Sequence, residues 1–236
     1  MVRHKAIKAT LDVGKATEWN DDHISDFSSK LGLECDFVNQ TIATFWSTAQ
    51  TSGGTAPNLT FLDHHALCIL DTGATTNNIS SMRYMLEGAA GNITYVDDAP
   101  VINMAVGMTA FHTSDEVFEF GMIKSDTAAA FTANQNGAYF RVDDNKLYAV
   151  TGTGAAETAT DVTPTGGVPE WANYRIELGS SNAKFYIDDM ETPVRTETAT
   201  LPTGDMTMKF SAKSQNNVDS TMYVDACGLE RNRYQG

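Results

Sequence analysis

An all-β chain folded as an antiparallel β-sandwich is what this sequence predicts, on three observations. From about Cys35 onward, short runs rich in Val, Ile, Phe, Tyr and Thr recur, and in the clearest of them apolar and polar residues alternate. That is the period of a strand with one buried and one wet face. Gly, Asn, Asp and Pro punctuate the runs, as turns between strands require. No long stretch carries the apolar period of an amphipathic helix. With 236 residues, 42% of them hydrophobic, the chain can bury roughly 70–75% of the surface its unfolded form exposes.

Two parts are expected: an N-terminal arm over 1–33 and the sandwich domain over 34–236. Residues 1–17 hold Arg3, Lys5, Lys8 and Lys15 against Asp12 alone, so the net charge there is about +3, that of the remainder about −17 and that of the whole −14. A basic arm on an acidic body suits docking onto an acidic neighbour, another copy of the chain included. Thr17-Glu18, followed by Asp21-Asp22, opens a short helix with Trp19, His23 and Phe27 on one side. Arg3, Lys5, Lys8 and Trp19 are the expected partner-anchoring residues.

Strands follow in order. The runs 41–48, 66–71, 81–86, 101–111, 117–123, 138–142 and 146–151 come first, with 101–111 long and apolar enough for a central strand. Residues 174–178 and 184–187 flank the turn-rich segment Gly179-Ser180-Ser181-Asn182, a hairpin signature. Met206, Met208 and Phe210, then Met222, Val224 and Ala226, alternate with polar neighbours. Segments 48–58 and 151–168, rich in Gly, Thr and Ala, are read as exposed loops. Eleven or so strands at this spacing make two packed sheets.

Several functions are disfavoured. A net charge of −14 repels phosphate backbones. No apolar run reaches the length of a membrane-spanning helix, and the start lacks the apolar stretch of a secretory signal. Synthesis in a cytosol is expected, and the N-x-S/T matches at Asn39, Asn58, Asn78 and Asn92 are read as idle. Cys35, Cys68 and Cys227 are too few for a disulfide scaffold, and Cys68 and Cys227 sit in apolar runs as buried thiols.

Catalytic constellations are sparse. Glu116 and Glu119 are three apart, which puts them on opposite faces of a strand; a solvated edge accounts for them. The Asp-Asp pairs at 21–22, 97–98, 143–144 and 188–189 each stand beside a turn, where Asp caps its own backbone. A structural Ca²⁺ would need oxygens gathered from several loops, and no ligand set is identified. His64 and His65 are adjacent and would point to opposite faces of a strand, so they do not make a zinc site. Trp46, Tyr148 and Trp171 are the candidates for sugar contact, although Trp171 and Tyr174 open an alternating strand where core is expected.

The segments Phe118-Glu119-Phe120-Gly121-Met122, Asn136-Gly137-Ala138-Tyr139-Phe140-Arg141-Val142 and Lys146-Leu147-Tyr148-Ala149-Val150 resemble the concanavalin A-like (LamG-type) jelly-roll domains. So do Trp171-Ala172-Asn173-Tyr174-Arg175-Ile176-Glu177, the hairpin from Ala183 to Asp189, and Met222-Tyr223-Val224-Asp225. One departure is Asp189, where many relatives have Gly. The family includes Ca²⁺/Mn²⁺ lectins and glucanases with an acidic strand motif, but the alternating acids of that motif are missing here. The version with N-G-x-Y-F-R and L-Y-A-V-T looks like domains of tailed-virus virion proteins, as does the segment from Ala16 to His23. The resemblance therefore implies a non-enzymatic virion structural protein, displayed on the particle surface as a head decoration, fibre or tail component. The arm would anchor it to other capsid or tail proteins. Symmetric homo-oligomers, trimeric or following capsid symmetry, are expected, with a host glycan as a further partner and no resident cofactor. The alternatives are a carbohydrate-binding module or receptor-binding lectin and, behind them, a glycoside hydrolase using Glu119.

Overall fold

In the computed structural model, the described residues are 30–35, 46–50, 55, 58–62, 65–84, 94–109, 116–124 and 135–232. They form two antiparallel sheets packed face to face. Across the back sheet run β14 (Arg195–Glu197), β13 (Ala183–Ile187), β12 (Trp171–Leu178), β7 (Val101–Thr109), β16 (Thr221–Asn232), β4 (His65–Asp71) and β3 (Asn58–Leu62); β1 (Lys30–Cys35) pairs with the second half of β16. The front sheet runs β11 (Glu157–Asp161), β10 (Lys146–Thr153), β9 (Asn136–Asp143), β8 (Glu116–Ile123), β15 (Asp205–Ser214), β5 (Ile79–Tyr84) and β2 (Trp46–Gln50), with β6 (Thr94–Tyr95) against the start of β15. The described helix content is one 3₁₀ turn at Val96–Asp98.

Alternation sets the layers. In β8, Phe118, Phe120 and Met122 point into the core; so do Phe140 and Val142 in β9 and Met206, Met208 and Phe210 in β15. From the back sheet, Met104, Val106, Tyr174, Ile176, Met222 and Val224 meet them. The aromatic centre spans both sheets, with Phe140 lying 5.6 Å from Phe120, 4.9 Å from Tyr174 and 5.3 Å from Phe185, centroid to centroid. Trp46 is 2% exposed and packs edge-on against Tyr84 and at a tilt against Phe210. It is core, not a sugar contact: its place opposite Tyr84 in register directs the indole inward. Cys68 and Cys227 are buried, and the Cys68 thiol donates to the Met82 sulfur at 3.4 Å.

Three local readings are corrected. Segment 151–168 is not a continuous loop, because β10 runs on to Thr153 and Glu157–Asp161 makes edge strand β11; Thr at alternate positions favours an extended backbone. Glu116 and Glu119 are not a solvated edge, since β8 is flanked by β9 and β15 and both side chains are buried. Segment 48–58 is strand at both ends, in β2 and β3.

Turn chemistry agrees with the sequence. The hairpin joining β9 and β10 turns at Asp144 and Asn145, with φ of 52° and 57°, the left-handed pair of a type I′ turn. At the turn after β13 the strain falls on Asp188, φ 57°, while the Asp189 carboxylate accepts the Glu191 and Thr192 amides; the missing Gly is thus compensated by capping. At Gly121 a side chain is excluded. Its φ is +148°, and a Cβ would stand 2.7 Å from Tyr139 Cα and 2.8 Å from the Ala138 carbonyl oxygen. Gly121→Ala should cost about 2–3 kcal/mol, read as a lowered urea midpoint at unchanged m-value.

Candidate functional site

The outer face of the front sheet carries the residues that alternate with the core set. In register across β9, β10 and β11 they form rows: Arg141 beside Tyr148 beside Asp161, then Tyr139 beside Val150 beside Ala159, then Gly137 beside Gly152 beside Glu157. Glu119 on β8 lies opposite Arg141, and Lys209 on β15 lies opposite Gly121.

Arg141 organises this face. Its Nε donates to Glu119 Oε1 at 2.8 Å, and its two terminal nitrogens donate to Glu157 Oε1 at 2.6 Å and Oε2 at 2.9 Å. The second of them also donates to the Tyr139 hydroxyl at 2.9 Å, and that hydroxyl donates to Glu157 at 2.8 Å. Gln135 donates to the other oxygen of Glu119. Burial works against the charge on Arg141, but its bonds to Glu157 and the charge of Glu119 outweigh it and hold the guanidinium above its ordinary range. Burial pushes the Glu119 carboxyl up, with Arg141 and then Lys209 pulling back. Burial likewise brings the Lys209 ammonium down to about 8.

A glycosidase needs two carboxylates facing each other across the scissile bond, one free to give a proton. Here the two acids grip opposite sides of one guanidinium, and both oxygens of Glu119 are taken. With Glu119 only 2% exposed, the group is a closed strut and not a poised acid. The remaining outward positions of β8 are Val117, Gly121 and Ile123, none of them acidic. Among the described residues, no three His, Cys, Asp or Glu side chains converge as a metal site.

Openness increases toward the sheet edge. Tyr148 is half-buried, resting on Ile123, Tyr139 and Val150. Asp161 and Lys146 are exposed beside it and pair at 3.4 Å. Hydrogen bonds from the Thr163 side chain and amide hold the Asp161 carboxyl below its usual range. The result is a strip with one aromatic face bordered by donors and acceptors of both signs.

Of the expected sugar contacts, Tyr148 lies in this strip. Trp171 stands on the opposite face of the molecule, 47% exposed; Ala172, Tyr174, Ile176 and Leu178 take the inward positions of β12 and leave Trp171 outward. Tyr174 is core, as expected. Arg3, Lys5, Lys8 and Trp19 lie outside the described residues. Sequence reasoning passed over Arg141, Tyr139, Glu157 and Lys209. The signal for the first two was present in Tyr139-Phe140-Arg141-Val142, where polar-tipped residues alternate with core ones.

The fold is that of the concanavalin A-like jelly rolls. No family model matches the sequence, and no curated protein matches it. Solved structures do. A β-glucanase of Bacillus licheniformis superimposes with a TM-score of 0.59 at 11% identity, over 84% of this chain and 97% of that one. A glycoside hydrolase family 16 endo-glucanase from Bacteroides ovatus gives 0.60 at 11% identity, over 84% and 99%. The carbohydrate recognition domain of Emp47p gives 0.59 at 11% identity, over 87% and 98%.

These likenesses overturn the expected virion role. The similar structures named are mainly glycoside hydrolases and a carbohydrate recognition domain, and none of them is a virus-particle protein. The strand motifs that suggested a virion are the inward–outward pattern of the sandwich itself, which any copy of the fold shares. A charge difference between an arm and a body says nothing about which neighbour is met.

Proposed function

We propose that this chain is a glycan-binding jelly-roll domain that holds a polysaccharide without cleaving it. The observation that carries the reading is the row Arg141–Tyr148–Asp161, an aromatic ring flanked in register by a cation and a carboxylate on the outer face of the front sheet. Sugar rings have an apolar C–H face and a hydroxyl rim, so an aromatic platform with polar neighbours is their natural seat. The structural relatives support the class: one is a carbohydrate recognition domain and two are glucanases. The closed state of Glu119 supports binding over turnover. A net charge of −14 disfavours uronates and sulfated chains, so neutral polysaccharides are the class expected.

Affinity electrophoresis through mixed-linkage β-glucan, laminarin, mannan and glycol-chitin tests this. At least one gel should retard the protein, Tyr148→Ala should reduce that retardation roughly tenfold in affinity, and no reducing ends should appear on prolonged incubation. Free migration in every gel would remove the proposal. Release of reducing ends that Glu119→Gln abolishes would turn it into a hydrolase.

A further inference from the structure

Trp171 opens β12 on the outer face of the back sheet, in register with Gly107 on β7, and Gly107 is in turn in register with Tyr223 on β16. A Cβ on Gly107 would meet three indole carbons, Cε2, Cδ2 and Cζ2, at 2.5, 2.6 and 2.6 Å. The indole therefore occupies the space that the absent side chain leaves, and the side chain as a whole is 47% exposed. Tyr223 continues the surface: its ring is 24° from parallel to the indole, with centroids 5.8 Å apart. Asn173 is exposed two positions along the same face of β12, and Thr109 and Thr221 form the next row of the sheet, with the Thr109 hydroxyl donating to the Thr221 carbonyl at 3.4 Å.

We infer that Trp171 and Tyr223 form a second glycan-binding platform, on the opposite side of the sandwich from Tyr148, which takes a neutral polysaccharide and lets one molecule hold two chains. The inference rests on the glycan-binding reading but on different residues. The aromatic pair presents an apolar surface against which a sugar ring can stack, and the side chains of Asn173 and Thr221 offer hydrogen-bonding groups in the adjacent rows of the sheet. Tryptophan is also the side chain with the largest gain from such stacking. Among the described residues, the ionisable groups near it in sequence or register include Glu170, Asp188 and Asp225, all acidic, with the Asp188 carboxylate accepting the Asn173 backbone N–H at 2.9 Å. Arg175, farther along β12, is paired with Glu177. Uronates and sulfated sugars would be repelled.

A protein partner fits less well. Stable protein interfaces bury about 800 Å² on each side around an apolar centre. Among the described residues the exposed large hydrophobic side chains are Trp171 and Val194 alone. One isolated aromatic platform in a polar sheet matches a small amphipathic ring better than a protein surface.

Isothermal titration of the full chain with hexasaccharides of mixed-linkage β-glucan, mannan and chitin provides the test, run beside Trp171→Ala, Trp171→Phe and Tyr148→Ala. The expected result is two sites per chain in the wild type. Trp171→Ala should weaken one of them roughly tenfold or more, Trp171→Phe should weaken it less, and the other site should stay intact. With high-molecular-weight β-glucan, turbidity from cross-linking should appear in the wild type and vanish in Trp171→Ala. Circular dichroism confirms folding of a variant altered only at the surface. A Trp171→Ala isotherm that matches the wild type overturns this inference alone, particularly when Tyr148→Ala abolishes binding. A wild type that binds none of the three overturns both readings.

Discussion

Arg141→Met should lower the stability of the folded domain by about 3–5 kcal/mol, the cost of removing one partner from a buried ion pair. The variant keeps the unbranched apolar stem and removes the guanidinium that holds Glu119 and Glu157 together. Glu119 would then be a buried carboxylate facing Gln135 and Lys209 only. Its folded pKa, already above the ordinary 4.5 because of burial, would climb further. The sign of the pH dependence follows. A carboxyl whose folded value exceeds its unfolded value carries no penalty below the unfolded value, where both states hold the proton, and loses stability as pH rises toward the folded value. The deficit of Arg141→Met relative to wild type should therefore be smallest near pH 4 and full at pH 8. Urea titrations at the two pH values decide it, and a deficit that does not change with pH would show that the charge cluster contributes little.

Phe140→Ala should cost about as much, roughly 3–5 kcal/mol, for a different reason. Its ring sits between Phe120 of its own sheet and Tyr174 and Phe185 of the other. Removing it leaves a void at the seam between the layers, lined by rings that cannot collapse inward without tilting off their strands. A fall in melting temperature of roughly 10 °C is expected for a domain of this size. Phe140→Leu, which refills most of the space, should recover more than half of the loss. Equal losses for the two variants would mean that the seam is loosely packed.

Several strands were legible because alternation is a local property: 174–178, 206–210 and 222–226 each read inward–outward from their own residues. The less regular segments failed. Glu157–Asp161 looks like a loop because Thr and Ala carry little apolar signal, and it becomes a strand through pairing with β10. The burial of Glu119 was invisible for a related reason. Whether a strand is central or at an edge depends on partners as distant in sequence as β15, and an acid can sit in a central strand once Arg141 lies opposite. The spacing of Glu116 and Glu119 gave their opposite faces correctly but not their surroundings. Trp171 was ambiguous between platform and core, since a strand's first residue belongs to either face until register fixes it. The role of Gly107 beneath it rests on three strands brought side by side, which no window of sequence contains.

One property of the back sheet reaches into how the chain is made. Its strand β16, Thr221–Asn232, lies between β7 on one side and β4 and β1 on the other. The centre of that layer is thus supplied by a strand that begins more than a hundred residues after β7 ends. During synthesis β4 and β7 wait with bare edges while more than a hundred residues emerge, and every seam they make with β16 closes late. Distant pairings of this kind fold slowly and leave sticky edges open meanwhile. For this molecule the hazardous interval is the one before β16 arrives.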